Sequence, residues 1–135
     1  MRKRSRKTNS SGRKVVNTVP LRKNLVLVLF FLNAALWFGY VVYIYYDMAV
    51  LNNNRSSADV VTIFVFVNAI AMLVSGIQFG KLEKWTYYFA LVVVAANTLL
   101  TVLNILDLFF LGIFLLDLFI LLNIIPMRKN YLSNP

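Results

Sequence analysis

Asp117 is the residue of this chain whose position demands a chemical explanation. It lies near the middle of an otherwise uncharged, Leu- and Phe-rich run over residues 108–125. A carboxyl group at the centre of a membrane-length apolar segment costs roughly 2.5–3.5 kcal/mol on insertion scales, so something must compensate for it. Three compensations are open: protonation with a hydrogen bond to a neighbouring amide, a water-filled cavity or bound cation, or a cationic side chain of another protein. No Lys, Arg or His of this chain shares its depth.

The amides that could meet it are spread evenly. Each of the four uncharged runs carries an Asn: Asn33, Asn68, Asn97 with Asn104, and Asn123. Asn97, Thr101 and Asn104 follow i, i+4, i+7 spacing, which places them on one helix face, and Asp107 extends that stripe. Asn68 and Ser75 sit at i and i+7 with Ala71 between them. A polar group turned to lipid finds no water, so these side chains should face other helices. The plainer reading is interhelical packing, at about 0.5–2 kcal/mol per hydrogen bond. The sharper one is an ion or proton role. An acid clustered with Asn side chains would favour transport, whereas an Asp117 turned to lipid would favour a missing partner.

Other chemistry is thinly supplied. The chain has no Cys and no His, which removes thiol nucleophiles, disulfides and imidazole catalysis. Glu83, Asp107 and Asp117 fall at three different depths and form no acid–base constellation, so no enzyme, cofactor or metal site is expected. Gly76 with Gly80, and Ala35 with Gly39, are small-x-x-x-small pairs that permit close helix approach. Leu106–Phe109 recurs as Leu116–Phe119, but ten residues rotate a helix by about 1,000°, some 80° short of whole turns, so the two Asp would not share a face.

These residues must be positioned by helices. The 135 residues are 60% hydrophobic, well above the roughly 45–50% of soluble domains, and a domain this small cannot bury that excess from water. Runs of about 20 apolar residues match a hydrocarbon core about 30 Å thick. They predict an all-α integral membrane protein, a four-helix transmembrane bundle over residues 24–126 with helices at about 25–46, 60–79, 85–106 and 108–125. A single helix across the last two runs would reach about 60 Å, twice the core thickness, so a tight hairpin near Asp107 is the reading. Trp37, Tyr40, Tyr43, Tyr45 and Tyr46 crowd the end of the first run, as headgroup-level aromatics do. Pro126 ends the fourth run, and residues 127–135 form a short polar tail.

The termini set direction. Arg2, Lys3, Arg4, Arg6, Lys7, Arg13, Lys14, Arg22 and Lys23 hold nine of the fourteen basic residues. Residues 1–23 therefore read as a disordered basic tail, attracted to anionic lipid headgroups. With no aromatic residue and no folded element, the tail argues against nucleic acid. The apolar run that follows is too long for a signal peptide, and no small-residue cleavage site follows it. With the amino terminus inside, Lys81, Lys84, Arg128 and Lys129 join the tail, and Arg55 alone lies outside. The positive-inside rule thus predicts both termini in the cytoplasm, in a plasma (inner) membrane. The function expected from this inventory is a non-catalytic accessory or structural subunit, or an assembly factor. Its partner would be a larger membrane protein or further copies of itself. The alternative is an oligomeric transporter or channel that uses Asp117 and the Asn side chains.

Overall fold

The structure is a computed structural model that describes residues 18–133. Among these residues it is all helical: α1 Thr18–Tyr46, α2 Arg55–Phe79, α3 Lys84–Val102, α4 Leu108–Ile124 and the short α5 Arg128–Leu132. Four helices are long and apolar enough to cross a membrane. The basic positions Arg2 to Lys14 lie outside the described residues.

Local chemistry sets where each helix starts and stops. α1 begins at Thr18, ahead of the expected start at 25, so Arg22 and Lys23 lie on the helix rather than in a disordered tail. After Tyr46 the helix widens into a π-type turn over Asp47–Leu51, closed by Asn52 N–H donating to the Asp47 carbonyl at 3.0 Å. Asn53 reverses the chain at φ 49°, a left-handed conformation that Asn tolerates. The Asn54 side chain then accepts from Ser57 N–H at 3.3 Å and caps α2.

The turn between α2 and α3 places Leu82 at φ 57°, a conformation that costs an ordinary residue about 1–2 kcal/mol. Its side chain packs against the core, which offsets the strain. α3 ends at Val102, short of the expected 106. The chain reverses through turns that end in Asp107, whose carboxylate accepts from Phe109 N–H at 2.7 Å and caps α4. Asp107 is therefore a helix cap and does not extend the Asn97 stripe. Pro126 tightens the end of α4 into a 3-10 turn, and residues 128–132 continue as the helical turn α5 rather than as a free tail. There Tyr131 is fully buried, its hydroxyl donates to the Phe79 carbonyl at 2.7 Å, and its ring lies 4.8 Å from that of Phe79.

The helices pack as a ring in chain order, α1 against α2, α2 against α3, α3 against α4 and α4 back against α1. Gly76 lets α1 and α2 approach closely, since a Cβ there would sit 3.0 Å from Phe30 Cβ. The polarity is inverted relative to a water-soluble domain. Asn33, Ser75, Thr86, Asn97, Thr101 and Asp117 are buried, while Phe64, Leu103, Leu106 and Leu108 are each more than 70% exposed.

Candidate functional site

A hydrogen-bonded ladder crosses the middle of the bundle and takes one side chain from each long helix. From α2, Asn68 Nδ2 donates to Asn97 Oδ1 on α3 at 2.8 Å. Asn97 Nδ2 in turn donates to Asp117 Oδ2 on α4 at 2.6 Å. On the other flank, Asn33 Nδ2 of α1 donates to Asp117 Oδ1, also at 2.6 Å. Both carboxyl oxygens thus receive an amide N–H at short distance. Asn33, Asn97 and Asp117 have no exposed surface, and Asn68 is partly buried.

The ladder has a direction. Each Asn gives its N–H toward the carboxyl group, so side-chain amide dipoles from three helices point toward Asp117. No cation stands opposite: the described helices carry Lys and Arg only near their ends. Two buried atoms beside it are unmatched among the described residues, Asn33 Oδ1 and, one turn along the same face of α1, Trp37 Nε1. The arrangement can hold a carboxyl group and fix the helix register around it. With Asp107 capping α4 and Glu83 at the start of α3, it offers no second acid or base. Among the described residues no three His, Cys, Asp or Glu gather to hold a metal.

The remaining expected site residues stand apart from the ladder. Thr101 is buried one turn beyond Asn97, but its hydroxyl stays on its own helix, near the carbonyls of Asn97 (3.1 Å) and Thr98 (2.9 Å). Asn104 lies past the end of α3 and is exposed. Asn123 donates to the Phe119 carbonyl of its own helix at 2.8 Å, and Ser75 to that of Ala71 at 2.7 Å. Sequence reasoning had placed Trp37 among the interfacial aromatics. It is instead an interior residue, 4% exposed, with its ring edge-on to Tyr40, Phe109 and Phe110. The signal for this was its i+4 spacing from Asn33.

Beside the ladder lies a cavity of about 350 Å³, in the half of the bundle nearer the 47–54 and 103–107 turns. Trp37, Tyr40, Phe64, Asn68, Leu103 and Asn104 are among its walls. It reaches Asn68 and stops short of Asn97 and Asp117. Comparison with protein-family models, curated proteins and solved structures gives no match for this chain.

Proposed function

We propose that the chain is an integral membrane protein, a transmembrane four-helix bundle with both termini in the cytoplasm, that acts as a non-catalytic accessory or structural subunit or assembly factor of a membrane complex. The closed ladder carries this reading. Polar groups between membrane helices act as packing glue, and here the acid and its amides are spent within the chain. Asp117 is enclosed, so it is not the contact for a partner. A partner, whether a larger membrane protein or further copies, would meet the apolar outer faces of the helices. The topology follows from charge: Arg22, Lys23, Lys81, Lys84, Arg128 and Lys129 mark one end, and Asp47, Arg55, Asp59 and Asp107 the other. The basic residues at the first end suit anionic headgroups.

One observation favours a second reading, an oligomeric transporter or channel. An acid clustered with Asn side chains is what an ion or proton path uses. Against it stands the enclosure of Asp117, Asn33 and Asn97, which leaves the carboxylate out of reach of water in this conformation. Gentle detergent extraction of the tagged protein, followed by mass analysis of the intact particle, separates the two. Stoichiometric co-purification with a larger membrane protein supports the subunit reading. A monomer or pure homo-oligomer whose ion flux in vesicles is lost in Asp117→Asn supports transport and overturns it.

A further inference from the structure

The cavity beside the ladder has walls of two kinds. Phe64, Val65, Leu100, Leu103 and Phe110 make most of it apolar, and none of its walls is a charged side chain. Asn68, Asn104, Tyr40 and Trp37 are the lining residues that carry a polar group. Asn68 has spent its N–H on Asn97 at 2.8 Å, and its Oδ1 accepts nothing from the described residues, which leaves an amide carbonyl with two free lone pairs. Access is lateral: Phe64, Leu100 and Leu103 are 73%, 51% and 74% exposed on the outer faces of α2 and α3. A volume of about 350 Å³ is at the small end of ligand sites.

We propose that this cavity binds an uncharged amphiphile with a short apolar body and a hydrogen-bond-donating head, such as a hydroxyl, admitted from the bilayer between α2 and α3. The proposal rests on the transmembrane reading. The head donates to Asn68 Oδ1 and the body fills the aromatic end beside Trp37. A charged head is excluded because nothing in the walls neutralises it. Occupancy extends the ladder by one bond, from ligand to Asn68, Asn97 and Asp117. Hydrogen bonds in such a chain polarise one another, so the occupant tightens the bundle.

Trp37 lines the cavity and is one of only two Trp residues. The test therefore uses the full chain with Trp85→Phe in lipid vesicles and reads Trp37 fluorescence. The probes are a bromine-tailed medium-chain alkanol and the matching bromoalkane, compared at equal mole fraction in the membrane. The expected result is saturable quenching by the alkanol, reversed by unbrominated alkanol, at about five-fold lower concentration than the alkane, the ordinary worth of one hydrogen bond. Asn68→Leu removes the preference for the alkanol. Val61→Phe narrows the cavity without touching the ladder and removes the saturable part. Linear quenching that is equal for the two probes overturns the proposal, as does saturable quenching indifferent to the hydroxyl or unaffected by Val61→Phe. Quenching of Trp37 by aqueous iodide overturns the transmembrane reading itself, a failure distinct from an empty cavity in a shielded protein.

Discussion

Asp117 is held by two amides rather than by a charge, and that decides how its neighbourhood responds to substitution. Asn97→Leu strands two partners, Asp117 Oδ2 and Asn68 Nδ2. Leaving buried polar groups unmatched costs about 1–3 kcal/mol, and unfolding in mixed micelles should show a loss of that size. Asp117→Asn is gentler, because a rotated Asn33 amide can accept from the new N–H, and its loss should stay below about 1 kcal/mol. Equal losses in the two variants would contradict the ladder. The sequence predicts that these side chains turn inward, because on the transmembrane reading lipid cannot satisfy them. It did not show which would meet. Asn33 and Asn68 are alike in the sequence, yet Asn33 meets Asp117 directly and Asn68 only through Asn97, because membership depends on helix rotation and on the ring order of the helices. Asn104 fell away for a different reason: α3 ends before it, so its i+7 place on the stripe does not exist.

At the scale of elements, two glycines on different helices make opposite predictions. A Cβ at Gly76 would press within 3.0 Å of Phe30, itself fully buried, so Gly76→Ala should destabilise by about 1–3 kcal/mol through overpacking. Gly39 has nothing within 4 Å of its would-be Cβ. Gly39→Ala should therefore be neutral or stabilising, by up to about 1 kcal/mol, from helix propensity alone. Melting of the two variants beside the parent in one detergent checks both. Asp107→Ala removes the α4 cap and should cost about 1 kcal/mol. The four long helices were legible because each apolar run is long enough to cross a bilayer. Their ends were less so. α1 runs ahead of the apolar run that marked it, through Arg22 and Lys23, and α5 is held where Tyr131 meets the Phe79 carbonyl, a contact 52 residues distant in sequence.

For the whole molecule, orientation is the testable property. The chain has no Cys, so single cysteines report position without background. With Ser56→Cys in the first turn of α2 and Ser133→Cys after α5, a membrane-impermeant thiol reagent applied to intact cells should label the first. It should reach the second only after permeabilisation. The reverse pattern would invert the topology, and labelling of both in intact cells would remove the transmembrane reading.

The ladder also sets a timetable for the nascent chain. Asn33 and Asp117 are 84 residues apart, so at about 5–20 residues per second the ribosome needs roughly 4–17 s to supply the acid after the first amide has emerged. During that interval Asn68 and Asn97 can already join α2 to α3, while Asn33 waits without its acceptor. On the transmembrane reading, Asp117 adds a local cost to releasing an otherwise strongly apolar helix into lipid, and the waiting amides lower that cost only once they are in place. On that reading the last helix arrives as a latch, and a chain truncated before it, with Asn33 and Asn97 left without the acid, should be degraded instead of persisting as a three-helix species.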